Sequence, residues 1–281
     1  MTRDRRAGFT LVELLIALVI FVLVAASLYQ VLNVSQRTAQ TQTEKAAMQG
    51  SLRTGIQLAM AEMQELWSDE GIGSVAGAGS AITAMNATTM SYEAMRGIGM
   101  TCAPLALNSV TLNAASWRGL IPPAAGQGIY IFDQGPDKTV VTDDVWYDRT
   151  IQTVAGGNCS DGSAAIVLTL TVDLPTILTI QVPGPTRTHE PMQLGLIASG
   201  GRNWLGIAAG GALTPLAGPL TGLSLEYKDK NGANTATPAN VKSIILRLFG
   251  ETDRMARKNI AGSPTLLQDT MIVRVQLRNG R

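Results

Sequence analysis

Apolar residues dominate an unbroken stretch from Phe9 to Val34, in which Glu13 is the only side chain with a formal charge. As an α-helix, these 26 residues would extend about 39 Å, enough to cross a ~30 Å hydrocarbon core with some tilt. A carboxylate in such a segment is costly unless a partner neutralises it. The pattern therefore predicts a membrane-spanning helix that carries one acid in need of a partner.

Basic residues precede this stretch at Arg3, Arg5 and Arg6. Positive charge beside a membrane segment holds that end in the cytoplasm, so the remainder of the chain is expected outside. The alternative is a secretory signal peptide cleaved near residues 25–27, but such signals have an apolar core of only about 7–15 residues. The longer run favours a retained anchor.

The helical pattern continues beyond the apolar run, because charged and amide side chains occupy the other faces and no proline occurs before Pro104. The spacing predicts one helix from Phe9 to Trp67, about 88 Å long, whose second half lies on a soluble domain. A loop rich in glycine and serine is expected from Asp69 to Gly79. The apolar stripe of the second half consists of Met48, Leu52, Ile56, Ala59, Met63 and Leu66 or Trp67.

The rest of the chain has the composition of β-structure, since β-branched and aromatic residues cluster between turn-forming residues. Asp229–Gly232 is a strong turn signal, and Asn259–Pro264 is expected to be a loop. A long helix followed by strands predicts an α+β fold in which the helix packs across an antiparallel sheet. Strands are expected at Ala84–Tyr92, Gly128–Phe132, Val140–Ile151, Ala164–Val172, Ile177–Val182, Gln193–Ala198, Leu220–Tyr227, Val241–Phe249 and Met271–Leu277.

Composition and motifs narrow the function classes. The net charge is +1 and charged residues make up 15% of the chain, which argues against nucleic acid as a specific partner. The sequence has no nucleophile elbow, no phosphate-binding glycine loop and no zinc-protease motif. Its one histidine, His189, lies between Pro185 and Pro191, and we expect it in an exposed loop facing solvent. The sequence therefore predicts no enzyme activity and no cofactor.

Two cysteines, Cys102 and Cys159, lie outside the apolar run. In an oxidising compartment the default is one disulfide, closing a loop of about 57 residues and stabilising the fold by roughly 4 kcal/mol. Two free thiols or a redox pair are the alternatives. Nothing in the spacing supports a redox pair, because the sequence has no Cys-x-x-Cys.

An acidic segment is the candidate for a metal site. Asp133, Asp137, Asp143 and Asp144 lie close together in sequence, and carboxylate oxygens are the ligands that Ca²⁺ prefers. The spacing fits no EF-hand loop, and Gly-Pro-Asp is an ordinary turn. A solvated loop is therefore the favoured interpretation, with calcium as the alternative.

Residues 5–13, RRAGFTLVE, resemble the class III signal of the type IV pilin and type II pseudopilin superfamily. The resemblance implies that a prepilin peptidase cleaves after Gly8 and methylates the new amine of Phe9. It also implies that Glu13 acts in assembly by meeting the N-terminal amine of a neighbouring subunit. The expected partners are thus the peptidase, other pilins through helix packing, and the inner membrane.

The C-terminal segments, from Leu225 to Gly232 and from Val241 onward, resemble PilW-type minor pilins and J-type pseudopilins more loosely. The expected layout is a cleaved leader at residues 1–8, a helix at 9–67 with its membrane span at 9–34, and a pilin-like β-rich domain at 68–281. Three functions remain open: a minor pilin near the pilus tip, a minor pseudopilin of type II secretion, and a membrane-anchored binding protein or enzyme.

Overall fold

One helix, α1 (Leu11–Gln64), begins the part of the chain that the computed structural model describes, which is residues 10–66, 80–140, 143–257 and 264–277. Its 54 residues correspond to a length of about 81 Å. The predicted helix is confirmed over this range, while Phe9 and Trp67 lie outside the described residues. The predicted loop at 69–79 also lies outside them.

The chain divides into two compact units. The first comprises Met1–Gly50 and Glu251–Gln268. The second, here called the β domain, comprises Ser51–Gly250 and Asp269–Arg281. Within the first unit, every helical side chain from Leu11 to Leu32 is exposed. An apolar surface of this kind is costly in water, so this part of the helix needs lipid or another apolar partner.

The strands in the described residues are β1 (Ile82–Met85), β2 (Thr89–Met100), β3 (Ser109–Asn113), β4 (Arg118–Gly119), β5 (Gly128–Asp133), β6 (Val145–Asn158), β7 (Ala164–Leu170), β8 (Pro185–Ser199), β9 (Arg202–Ala209), β10 (Thr214–Lys228), β11 (Ser243–Glu251), β12 (Ala256–Arg257), β13 (Pro264–Thr265) and β14 (Gln268–Gln276). Twelve of them form one sheet, with the order β14-β11-β10-β9-β8-β5-β6-β7-β3, and β2 lies along β8 with β1 and β4 beside it. A separate two-stranded sheet joins β12 to β13.

The end of α1 packs on this sheet inside the β domain. The hydroxyl of Ser51 donates to the carbonyl of Gly218 and accepts from its N–H, both at 2.9 Å. At Gly55 the helix approaches the sheet so closely that a β-carbon would lie 2.6 Å from the β-carbon of Ala217. The predicted apolar stripe is buried here, with each side chain at most 8% exposed: Leu52, Ile56, Ala59, Met63 and Leu66.

A second core lies inside a ring of strands. The order β2-β8-β5-β6-β7-β3 returns to its start through an isolated bridge between Thr101, which follows β2, and Leu112 of β3. The ring encloses aliphatic side chains because alternate residues of each strand point inward. These side chains are Leu105, Val110, Leu112, Ile129, Ile131, Ile151, Leu168, Leu170, Leu174 and Ile180.

The strand predictions are confirmed in outline, with differences at particular places. The segment predicted as one strand at Ala84–Tyr92 is a hairpin of β1 and β2, because the backbone N–H of Asn86 donates to the carbonyl of Thr89 and reverses the chain. The strand predicted at Val140–Ile151 begins at Val145 and continues to Asn158. Strands β3, β4, β9, β12 and β13 were not predicted. The loop predicted at Asn259–Pro264 lies outside the described residues except for Pro264, which begins β13.

The prediction of a strand at Ile177–Val182 is wrong, because this segment has no strand in the structure. Its apolar side chains divide between the ring core, which takes Ile180, and solvent, where Leu178 is 92% exposed. Pro175 and Pro183 flank the segment and cannot donate to a ladder. The apolar run therefore reflects the packing of Ile180, and of half-buried Ile177 beside it, on the ring core rather than strand pairing.

Candidate functional site

Helix α1 begins with a capping box that joins Thr10 to Glu13. The Thr10 hydroxyl accepts from the Glu13 backbone N–H at 3.3 Å and lies 3.1 Å from Oε2 of Glu13, to which it donates. The same Oε2 accepts from the Thr10 backbone N–H at 3.0 Å. The Thr10 carbonyl accepts the first helical hydrogen bond, from Leu14 at 3.2 Å. Thr-x-x-Glu is the spacing that closes both contacts within one turn.

This arrangement supplies the Glu13 carboxylate with donors from its own chain. The peptide dipoles at a helix N-terminus also favour negative charge. Both effects lower the cost of carrying an acid at the start of an apolar helix, where an unsatisfied carboxylate would oppose insertion into lipid. The sequence predicted an acid that needs a partner, and the structure adds that Thr10 is one partner within the same chain.

The surroundings of Glu13 suit a membrane. Among the described residues, α1 is the one helix long and apolar enough to cross a bilayer, as judged by length and composition. The predicted cleavage and methylation residues, Gly8 and Phe9, lie outside the described residues. The candidate site in the structure is therefore Thr10, Glu13 and the exposed apolar surface that follows them.

The predicted disulfide between Cys102 and Cys159 is confirmed. It joins Cys102, two residues beyond the end of β2, to Cys159, which directly follows β6, and the two α-carbons are 5.2 Å apart. Backbone bonds reinforce the junction, because Cys102 donates to Thr111 at 3.0 Å and Ser160 donates to the Cys102 carbonyl at 3.2 Å. The disulfide thus fixes the end of the β6–β7 hairpin.

Carboxylates of the acidic segment accept hydrogen bonds from donors of the chain itself. Asp133 is buried and accepts from the backbone of Gly135 at 3.0 Å and from the hydroxyl of Thr179 at 2.7 Å. Hydrogen bonds from the side chain and backbone of Thr139 lower the pKa of Asp137. Partial burial and the charges of two neighbouring aspartates raise the pKa of Asp144.

Asp143 differs from its neighbours. Its Oδ2 accepts from the Asp137 backbone at 3.1 Å, while Oδ1 is buried and has no hydrogen-bond partner within the described ranges. Across those same ranges, no group of three or more His, Cys, Asp or Glu side chains is arranged to hold a metal ion. The part of the chain that the structure describes therefore gives no support to a calcium site in this segment.

The prediction that His189 lies in an exposed loop is wrong. It lies within β8, is 5% exposed, and its ring stacks on Tyr130 with 4.1 Å between centroids. Its Nδ1 lies 2.8 Å from Oε2 of Glu93, and its Nε2 lies 2.9 Å from Oδ1 of Asp148. Because each ring nitrogen faces a carboxylate, both carry a proton and donate.

The electrostatics of His189 follow from this geometry. Burial alone disfavours the charged ring, but the hydrogen bonds that it donates to Asp148 and Glu93 outweigh this effect and raise the pKa of His189 to about 9. The ring lies directly over Gly128, where a β-carbon would be 2.1 Å from Cε1. The imidazolium therefore joins β2, β8 and β6 over a glycine of β5, and its place in the fold is structural.

A second buried ion cluster attaches α1 to the opposite face of the same strands. The Arg96 side chain is 7% exposed, donates to Glu190, and lies 3.6 Å from Oε2 of Glu62 on α1. The Tyr92 hydroxyl donates to the same Glu62 oxygen at 3.2 Å. Sequence reasoning missed this cluster, although Glu62 on the otherwise apolar side of the helix was a possible signal.

Comparison with known families gives a match to the prokaryotic N-terminal methylation motif over residues 3–29. The matched stretch contains Gly8, Phe9, the Thr10–Glu13 cap and the first turns of α1. No curated protein and no solved structure matches the chain. The match therefore covers only the N-terminal segment, and the description of the β domain rests on its structure alone.

The fold agrees with what the motif implies, because a long apolar N-terminal helix is followed by a large antiparallel sheet. A motif of this kind directs processing by a prepilin peptidase and assembly with other pilins in the membrane. The N-terminal motif and the α+β layout together support a relationship to the type IV pilin and pseudopilin superfamily.

Proposed function

We propose that this protein is a minor pilin, a low-copy structural subunit that primes assembly at or near the tip of a type IV pilus. The observation that carries the proposal is the methylation motif on a helix whose apolar surface is exposed on all sides from Leu11 to Leu32. The size of the β domain supports a minor subunit, because the bulk of twelve strands is more easily accommodated at the end of a filament than along its shaft.

In this proposal, prepilin peptidase cleaves after Gly8 and methylates the amine of Phe9. The capping box survives cleavage, because Thr10 keeps its backbone N–H in the mature chain. On assembly, Glu13 exchanges part of its cap for the amine of a neighbouring subunit. Opposite charges at ~4 Å attract by about 4 kcal/mol at an effective dielectric of 20, whereas a capping contact is worth roughly 1 kcal/mol. The exchange therefore favours the assembled state.

Before assembly, the protein is expected as a single-pass inner-membrane protein with its N-terminus in the cytoplasm. After assembly it belongs to the filament. Its partners are sister pilins, through packing of the apolar helix, and the peptidase. The proposal assigns it no catalysis and no cofactor.

The alternative is a J-type minor pseudopilin of a type II secretion system, which the loose resemblance of the C-terminal strands supports. Deleting the protein separates the two, because loss of pili with normal secretion supports the pilin and the reverse supports the pseudopilin. Retention of both, together with turnover of a substrate by the full chain, would favour a membrane-anchored enzyme.

Mass spectrometry of the mature protein tests the common part. The expected chain begins at Phe9 and carries one added methyl group. Gly8→Ala should leave the leader attached, whereas Asp4→Asn, in the same leader, should be processed normally. A mature chain that begins elsewhere, or lacks the methyl group, would contradict the proposal.

A further inference from the structure

Strand β6 has one open edge along its second half. From Val145 to Thr150 it pairs with β5, but from Thr153 to Asn158 it pairs with β7 alone. No other strand among the described residues reaches the far side of Thr153–Asn158, here called the open edge. An open edge presents backbone N–H and C=O groups to whatever lies beside it, and the group that satisfies them all is another extended strand.

The open edge lacks the features that protect edges in soluble proteins. No charged residue and no proline occurs from Thr150 to Ser160. Val154 is 39% exposed, and its neighbours along the edge are also exposed. By contrast, the edge strand β14 contains Asp269 and Arg274, which deter pairing. Because the open edge offers no charge that could pair with a charged side chain, an uncharged strand fits beside it best.

Gly156 supplies an independent observation. A β-carbon there would have no atom of this chain within 4 Å, and its φ is not in the left-handed region. The chain's own structure therefore does not require glycine at this position, although glycine weakens a strand. Glycine within a strand often marks the close approach of another backbone. Gly157 differs, because its β-carbon would lie 2.6 Å from Val167.

The conformation of the open edge is also fixed before any partner binds. Cys159 follows β6 directly, and its disulfide to Cys102 fixes the end of the β6–β7 hairpin. A pre-ordered edge loses little conformational freedom when a partner strand binds. Addition of a strand to such an edge is a common mode of peptide recognition, in which backbone hydrogen bonds supply affinity.

We propose that the open edge, Thr153–Asn158, binds an extended, uncharged strand from a neighbouring, different subunit of the filament. The proposal rests on the proposed function, because it takes the neighbour from the filament. Filament subunits contact one another head to tail, so one surface meets a different surface of the next subunit. A pair of identical edges related by a two-fold axis does not fit that order.

The test is Gly156→Val in the full-length protein, with Gly211→Val as its matched control. Gly211 lies in the exposed turn between β9 and β10, has no left-handed φ, and a β-carbon there would meet only a carbonyl at 3.9 Å. Both variants should keep or raise the unfolding temperature in detergent. Quantitative mass spectrometry of purified filaments should find Gly156→Val reduced about tenfold and the control unchanged.

Amide hydrogen exchange gives the second readout. Amides of the open edge should exchange about tenfold more slowly in filaments than in the detergent-solubilised protein. Equal exchange, with normal incorporation of Gly156→Val, would overturn the inference while leaving the minor-pilin proposal intact. Protection in isolated protein that grows with its concentration would assign the edge to a second copy and also overturn it. Absence of processed protein from filaments would overturn the proposed function itself.

Discussion

The apolar side chains at the two ends of α1 differ in whether the chain itself buries them. From Leu11 to Leu32 every side chain is exposed and almost all are apolar. From Ser51 to Gln64 only one stripe is apolar, and the β domain buries it. The backbone is the same regular helix throughout. What differs is the angular distribution of apolar residues, which shows whether a helix finds its partner inside or outside its own chain.

The acids on the two ends follow the same division. Glu13 is satisfied locally, by Thr10 three residues away, and remains exposed. Glu62 is satisfied by residues distant in sequence, Tyr92 and Arg96, on the sheet that buries its side of the helix. A locally satisfied acid is free to change partners, whereas Glu62 is part of the folded domain. In the proposed function the first end of the helix thus serves assembly, whereas the second end belongs to the folded β domain.

The largest effect that separates the two ends is expected from Leu52→Ala. Leu52 is 1% exposed, so truncation should leave a cavity and lower the free energy of unfolding of the β domain by about 3 kcal/mol. Leu18→Ala, at a 53% exposed position of the first end, should leave that value unchanged. Urea unfolding of the full chain in detergent, followed by tryptophan fluorescence, measures both. Equal losses would show that the two ends are not independent.

The second effect is a pH dependence that only the β domain should have. The pKa of His189 is about 9 in the folded state and about 6.5 in an unfolded chain. The stabilisation is therefore fully present below pH 6.5 and is lost as pH rises through about 9. The difference of about 2.5 units between these two pKa values corresponds to about 3 kcal/mol. Urea unfolding at pH 6, 7.5 and 9 should record the loss.

His189→Gln is the control for that dependence. It removes the titrating group while keeping a donor beside the carboxylates of Glu93 and Asp148. The variant should be less stable than the parent at pH 6 and should lose most of the decline between pH 6.5 and 9. A decline of the same size in the variant would show that another group causes it.

The N-terminal motif could be recognised from the sequence because its signal is local. Gly8, Phe9 and Glu13 lie within six positions of one another in the apolar run or directly before it. Cleavage after Gly8 and methylation of Phe9 stay predictions. The Thr10 cap also has a signal in the sequence, the Thr-x-x-Glu spacing of a capping box, although the family resemblance alone does not predict it. The disulfide was predictable for a different reason, since two cysteines outside the membrane allow only one intramolecular pair.

The polar contacts of the β domain were not predictable, because they join residues that are far apart in sequence. His189 lies 96 positions from Glu93 and 41 from Asp148. Between Pro185 and Pro191 it has the local pattern of a loop, yet the pairing of β8 with β2 and β5 makes the segment a strand. Gly128 was the available hint, since glycine within a strand marks a close approach.

A smaller effect is expected from exchanging the two acids of α1 for amides. Glu62→Gln should lower the free energy of unfolding of the β domain by about 1–2 kcal/mol, because buried Arg96 loses a charged partner. Glu13→Gln should leave unfolding unchanged but reduce the subunit in filaments about tenfold, since an amide cannot neutralise an amine. Unfolding curves and filament mass spectrometry measure the pair. Normal filament content of Glu13→Gln, or of Glu13→Ala, would refute the pairing role of this acid.

The smallest effect concerns the cap itself. Thr10→Val keeps the shape of the side chain but removes the hydroxyl, so the first turn should lose about 1 kcal/mol. Amides of Glu13 and Leu14 should then exchange about fivefold faster, and Thr10→Ser should restore them. Thr38→Val is the control, because the Thr38 hydroxyl only donates to the Val34 carbonyl within the helix. Equal exchange in the two valine variants would mean that Glu13 draws no support from its own chain, and its carboxylate would then depend on a neighbouring subunit from the moment it enters the membrane.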